Sequence, residues 1–522
     1  MSVVTYTFIV FLLCTIVLYY IVPKKIQWVI LLLASLVFYG YAGIEYLFLV
    51  IATAVVVYLF SLRLQKSLDE QEELAKDADR RTARKIKAAE KAKRKKFLVW
   101  ALVIVIGVLA VFKAFGFVLD NIKRFIPYDG LQSIPDWNLI APLGISFYSF
   151  MMISYLVDLY NGRISAQKNF FRYLSYVLYF PHVTQGPIAR YEEVGYQLWE
   201  EHSFNMDTIM RGVWLMLWGF VKKIVIADRI GAFTKEIFGH TFDYHGGIFL
   251  AVGIAYSIQI YCDFSGCMDI VRGTSECFGI VLGENFRRPY FSQTLPEFWR
   301  RWHITLGTWM KDYIFYPFSL SKSMAKFGKW SKKKFGNNVG KLLPVGLADI
   351  LVFFVVGVWH GAAWKYIVYG MYNGIIMSFS SIMAPVYEKM FKITHINKTA
   401  RWYRGWQIIR TFILVNISWY FDNAATLTDA FRLMGNTFKH ASFSMDAVVK
   451  MFGSQLDLII LLAGCLVWLI ISILKEKGIV IREALDRKPL IIRWAVYIAL
   501  VMSVAMLGYI SNTSGGFMYA QF

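Results

Sequence analysis

Residues Phe97–Leu119 read FLVWALVIVIGVLAVFKAFGFVL, with Lys113 the one charge in 23 positions. A helix rising about 1.5 Å per residue crosses a hydrocarbon core of about 30 Å with roughly 20 such residues. The segment just before it, Arg63–Lys96, is its opposite, carrying 13 basic and 7 acidic residues for a net +6. Basic residues beside a span stay on the cytoplasmic side. The pair reads as a solvated cytoplasmic helix or helical hairpin near anionic headgroups, followed by a membrane crossing.

The pattern recurs along the 522 residues. Thr5–Val22, Leu343–Trp359, Leu456–Leu474 and Leu490–Ile510 are further long apolar runs. Ile26–Tyr39, Tyr46–Leu62, Ile209–Ile226, Ile248–Cys262, Tyr366–Met383 and Ile408–Phe421 are shorter or interrupted ones. With 57% hydrophobic residues and a mean hydropathy of +0.47, a soluble chain could not hide its apolar surface, whereas a bilayer solvates it. The expected fold class is all-α, a polytopic integral membrane protein with about 11 transmembrane helices.

The formal charge of +21 could suggest nucleic acid in a soluble protein, but here it sits in short loops between spans. Pro23-Lys24-Lys25, Lys322–Lys341 with seven lysines and no acid, Lys389–Arg410 and Lys475–Lys488 are all basic. Membrane lipid, and not nucleic acid, is the expected partner of this charge. Placing every basic loop in the cytoplasm starts the N-terminus outside and leaves the tail Ser511–Phe522 extracytoplasmic. No basic residue precedes the first apolar run and no small-residue cleavage site follows it, so a removed signal peptide is not expected. The division is N-terminal transmembrane helices over 1–62, the basic cytoplasmic segment 63–96, a membrane core over 97–510 and the tail 511–522.

Between Phe147 and Lys322 the threading fails. Apolar stretches there are cut by Gly, Pro and charge, as in Tyr179-Phe-Pro-His-Val-Thr-Gln-Gly-Pro-Ile-Ala-Arg190 and Tyr261-Cys-Asp-Phe-Ser-Gly266. Non-helical backbone at membrane depth survives only where protein or a water-filled cavity satisfies its amides. Re-entrant and tilted helices forming a central funnel or tunnel are therefore expected. The five cysteines lack metal or CxxC spacing and read as packing residues, so no metal site is expected.

Two of the eight histidines stand in apolar, aromatic settings: His303 in FWRRWHITLG, 298–307, and His360 in VGVWHGAAW, 356–364. Ionisable residues inside membrane segments are costly and read as functional by default, and histidine moves protons near neutral pH. The plainer reading is a packed histidine bonded to a backbone carbonyl. The stretches Asn285-Phe-Arg-Arg-Pro-Tyr290, Phe298–Pro317 and Gly357–Trp364 decide between them. Together with Pro142–Tyr148, Phe180-Pro181, Gly186–Arg190, Leu217–Asp228 and the terminal Phe517–Phe522, they resemble the membrane-bound O-acyltransferase family, specifically the branch of the alginate O-acetyltransferase membrane subunit. The resemblance runs from about Phe112 to the C-terminus. One departure is visible: relatives usually carry an arginine where this chain has Asp422 in Trp419-Tyr-Phe-Asp422, so Asp422 receives no role.

The resemblance implies that His360 is the catalytic histidine and His303 the second active-site residue on the opposite tunnel wall. Acyl transfer from a thioester to a hydroxyl needs a base for the hydroxyl proton and donors for the developing oxyanion. Neutral His360 suits the first task; His303, or the indoles of Trp302 and Trp359, suit the second. Trp299, Arg301, Trp364 and Asp312 are expected as tunnel or support residues. Asp312 lies nine residues after His303, so an unbroken helix would point them apart, and a plain ion pair with Lys311 or a nearby arginine is its alternative.

Family members of this kind also carry a C-terminal Phe-x-Tyr-x-x-Phe whose tyrosine, here Tyr519, is an acyl-shuttle candidate; an aromatic tail that only packs on a partner is the other reading. The resemblance further implies acetyl-CoA as acyl donor, no permanently bound cofactor, an SGNH-type extracytoplasmic acetyltransferase or esterase as partner, and polysaccharide synthesis or export machinery nearby. The location implied is the bacterial cell membrane, crossed many times. The expected function is transmembrane O-acetylation of a secreted polysaccharide. Its rivals are a D-alanyl transfer protein for teichoic acids and, from another class, a polysaccharide or lipid transporter. His202-Ser-Phe-Asn-Met-Asp207 fits the H-x4-D spacing of soluble acyltransferases but lies in a polar connector, where Asp207 reads as a helix cap.

Overall fold

The computed structural model describes residues 2–126, 133–135, 139–240, 244, 246–439, 449 and 452–508. Tyr519 and the rest of the expected shuttle tail lie outside them. Among the described residues the regular structure is helical, with one antiparallel bridge between Phe286 and Trp302. The helices used below are α1 (Tyr6–Ile21), α2 (Gln27–Gly40), α3 (Ile44–Lys76), α4 (Arg80–Lys113), α5 (Ile145–Tyr160), α6 (Met206–Phe220), α7 (Ile248–Glu276), α8 (Leu295–Arg301), α9 (Ile304–Met310), α10 (Leu343–His360), α11 (Trp364–Ile382), α12 (Arg401–Asn423), α13 (Gln455–Glu476) and α14 (Leu490–Leu507). Six of these, α3, α4, α7, α10, α13 and α14, are long and apolar enough to cross a membrane. The count is seven if α11 and the following helix Ala384–Thr394, bent by 57° from it, form one broken span. The chain is thus a multi-pass, all-helical membrane protein.

Two compact units divide the chain: Met1–Trp214 with Val271–Gly283, and Leu215–Ile270 with Glu284 onward. In the first, the basic segment forms a helical hairpin from the ends of α3 and α4. Asp79 caps α4 by accepting from the backbone N–H of Arg81 and Thr82 at 2.9 and 3.3 Å. Ser67 donates to Glu90, and Lys93 meets Glu70 at 2.6 Å. The Lys93 hydrogen bond holds the exposed Glu70 carboxyl below its ordinary value. Further on, the broken stretch Tyr179–Ala189 is buried in protein throughout. Its backbone is satisfied locally: Phe180 N–H donates to Ser35 Oγ at 3.0 Å and Tyr176 OH to the Ala189 carbonyl at 3.0 Å. The H-x4-D pair comes apart in this unit: His202 bonds Tyr19 OH, and Asn205, not Asp207, accepts from the first turn of α6 at Thr208 N–H.

The second unit corrects another reading. Tyr261–Gly266 does not interrupt an apolar stretch; it lies inside the uninterrupted 29-residue α7. The acids are carried because cations meet them. Beyond Phe220 the chain continues in π-helical turns, Val221–Ala227. There Lys222 Nζ donates to Asp269 at 2.8 Å and Ser265 at 3.0 Å, while Lys223 pairs with Asp263 and with Asp228. Buried charge that is paired and hydrogen-bonded is tolerated where an isolated charge is not.

α10 and α11 form the hairpin on which the site rests. A Cβ on Gly370 would lie 2.2 Å from the Phe353 carbonyl oxygen, and one on Gly357 2.4 Å from that of Tyr366. Both obstacles are backbone and cannot yield. Small residues let helices approach this closely in a membrane. Gly370→Val is expected to cost on the order of 4 kcal/mol or more and to abolish recovery of monodisperse protein in detergent. Size-exclusion chromatography at wild-type yield would show that the helices can part.

Candidate active site

The site belongs entirely to the second unit and starts from a break in the chain. Thr294 caps α8 by accepting from Glu297 N–H at 3.2 Å, and α8 stops after Arg301. Trp302 is extended, and His303 then adopts the left-handed region, with φ of 46°, before α9 begins. Such a conformation is uncommon for a residue with a side chain and persists only where its surroundings hold it. Here the segment 285–288 holds it: Arg287 N–H donates to the Arg301 carbonyl at 2.9 Å and Ile304 N–H to that of Asn285 at 3.0 Å.

Asn285 does more than pair. Its Oδ1 accepts from Thr305 N–H and Thr305 Oγ1, each at 3.0 Å, and faces His303 Nδ1 at 3.2 Å. An amide oxygen carries no hydrogen and can only accept from the imidazole, so the proton sits on Nδ1. His303 Nε2 is then a buried acceptor, without a hydrogen-bond partner among the described residues. Neutral His303 therefore offers a lone pair and not the oxyanion donor expected of it. Trp299 Nε1 and Tyr369 OH, both buried and without hydrogen-bond partners among the described residues, are candidates for that task.

His360 ends α10 and is 3% exposed. Trp359 stands between the two histidines, its ring 5.8 Å from that of His303 and 5.0 Å from that of His360. Tyr369 flanks His360 at 5.0 Å and Tyr366 stacks on it at 6.1 Å. Trp302 is buried against Phe298 and Trp419, and Trp299 packs on Phe353 and Tyr369. Arg301 points elsewhere, gripping Glu476 at 2.9 Å and Glu297 at 2.7 Å. Arg288 shares Glu476 at 2.7 Å, so the two arginines tie the break to the end of α13.

Two expected support residues stand apart. Trp364 is 49% exposed on the first turn of α11. Asp312 lies in the π turn Lys311–Phe315 that continues α9 without a bend at Gly307, whose N–H donates to the His303 carbonyl. At about 1.5 Å per residue this places it about 13 Å further along the helix from His303.

The structure adds residues to which the sequence reading assigned no role. Asp422 is 2% exposed and brings Oδ1 to 3.8 Å from His360 Nδ1. Tyr256 OH donates to its Oδ2 at 2.9 Å. Lys365 Nζ donates to the backbone carbonyls of Asp422 and Ala424 at 3.1 and 2.7 Å. Asn285 stood inside a quoted motif, but only the fold shows that its amide orients His303.

Two buried histidines across an indole, in a multi-pass helical chain, are an arrangement able to carry proton-coupled group transfer. Residues 134–331 match the membrane-bound O-acyltransferase family. The chain is 29% identical over 450 residues to a probable alginate O-acetylase of Azotobacter vinelandii, covering 86% of this chain and 80% of that protein. It is 28% identical to the peptidoglycan O-acetyltransferase of Helicobacter pylori, over 77% of this chain and 72% of that one. A teichoic acid D-alanyltransferase of Bacillus subtilis is 29% identical over 55% of this chain and 69% of its own. Residues 134–331 thus form a membrane-bound O-acyltransferase domain, and the chain is an acyltransferase.

Proposed function

We propose that this enzyme passes acetyl groups from a cytoplasmic thioester, acetyl-CoA, to the outer side of the bacterial cell membrane for O-acetylation of a secreted polysaccharide. The observation that carries the reading is the buried His303–Trp359–His360 constellation. His360 takes the proton of the acceptor hydroxyl as the oxygen attacks the thioester carbonyl; the C–S bond breaks and the thiolate of the donor leaves. Indole and phenol donors meet the oxyanion. The chain makes about eleven crossings, with re-entrant segments such as Tyr179–Arg190, and the donor reaches the site from the cytoplasm. The basic loops, Arg63–Lys96 among them, face the cytoplasm. Tyr519 receives the acetyl group as an aryl ester and yields it to the serine of an SGNH-type partner beside the polysaccharide machinery.

Deleting the gene and weighing two modifications tests this. Loss of O-acetyl from the extracellular polysaccharide, with the D-alanine content of the envelope unchanged, is the expected result. Loss of D-alanine with intact acetylation would replace the reading by teichoic acid transfer. Loss of exported polymer itself would replace it by transport.

A further inference from the structure

Asp422 is a carboxylate buried in a chain where uncompensated charge is costly. Its surroundings engage one of its two oxygens. Tyr256 OH donates to Oδ2, and Lys365, held by two carbonyls at the end of α12, lies close enough for its charge to act on the carboxylate. Oδ1 accepts no hydrogen bond among the described residues and faces His360 Nδ1 at 3.8 Å. We propose that Asp422 is the positioning residue of His360: it keeps the proton on Nδ1 and turns the Nε2 lone pair toward the acceptor hydroxyl.

The separation exceeds a hydrogen bond, and catalytic hydrogen bonds of this kind are long in the unliganded state and tighten as reaction begins. When the hydroxyl proton reaches Nε2 the ring becomes an imidazolium beside the carboxylate, which stabilises that charge, as the aspartate does in Ser-His-Asp triads. Lys365 balances the carboxylate before that moment. The inference rests on the reading of His360 as the base, and its first test does not.

That test is nitrogen NMR of the purified full-length protein carrying ¹⁵N-histidine, at a pH where His360 is neutral, with His360→Gln used to assign its signals. The expected wild-type spectrum shows a protonated Nδ1 and an unprotonated Nε2. The opposite tautomer in the wild-type protein would overturn the proposal without any variant. Asp422→Asn, whose shape is retained, is expected to mix the two tautomers, whereas Tyr256→Phe, which keeps the carboxylate, leaves them as they are. Unchanged His360 signals in Asp422→Asn would equally overturn it. Turnover of acetyl-CoA is then expected to fall about 10-fold or more in kcat with KM unchanged in Asp422→Asn, and to recover partly in Asp422→Glu. A loss confined to KM would make Asp422 a donor-binding residue instead. A wild-type protein inert toward acetyl-CoA would overturn the donor assignment and leave the tautomer result standing.

Discussion

His360→Ala is expected to lower the acetyl content of the secreted polysaccharide on the order of 10²-fold or more, with the protein inserted at wild-type levels. His360 closes α10, and the next residue, Gly361, is already extended, so removing the imidazole leaves the helix and its glycine-lined contact with α11 in place. What disappears is the proposed base. The rings packed on it cannot replace it: Trp359 has no basic nitrogen, and Tyr366 and Tyr369 are phenols. Mass spectrometry of the polymer reads the result. Near-normal acetylation in a stably expressed mutant would make His360 a packed residue and move the chemistry elsewhere.

Tyr519→Phe is expected to abolish acetylation as completely, for a different reason. The substitution removes one oxygen and retains the ring, so any packing of the tail on a partner survives while the proposed acyl acceptor is lost. A phenol, with a pKa near 10, is a poor nucleophile unless a base takes its proton, which makes the prediction conditional on a base such as His360. The aryl ester so formed is a more activated donor than an alkyl ester and suits onward transfer to a serine. Normal acetylation in Tyr519→Phe, with loss only on deletion of 511–522, would make the tail a docking element.

The helices were legible because bilayer solvation imposes a length and an apolar composition that any reader can count. Each of the eleven apolar runs overlaps a helix among the described residues, with Phe97–Leu119 crossing a break at Ala114, and six or seven helices are long and apolar enough to cross a membrane. Tyr261–Gly266 was misread because a lone carboxylate breaks an apolar pattern on paper, whereas Asp263 is neutralised in space by Lys223 from another segment. The histidine motifs were visible as motifs, but their orientation was not. Asn285 and Asp422 reach the imidazoles through an antiparallel bridge and a helix end, contacts without local periodicity. Asp422 was set aside because it departs from the family pattern, and the departure coincides with a lysine, Lys365, placed to compensate it.

The pairing of Lys222 and Lys223 with Asp263 and Asp269 has a consequence for biogenesis. The lysines leave the ribosome first; Asp228 follows Lys223 within five residues, but Asp263 and Asp269 come 40 and 47 residues after their lysines, within a helix that has yet to be made. A lysine at the centre of a membrane segment costs roughly 3 kcal/mol on insertion scales. Where Ile209–Ile226 is inserted as a membrane segment, the nascent chain is expected to hold it, at the translocon or at the interface, until α7 arrives to complete its neutralisation. Lateral release into the lipid becomes a joint event for both segments, and chains interrupted between them present the kind of uncompensated intramembrane charge that quality-control proteases recognise.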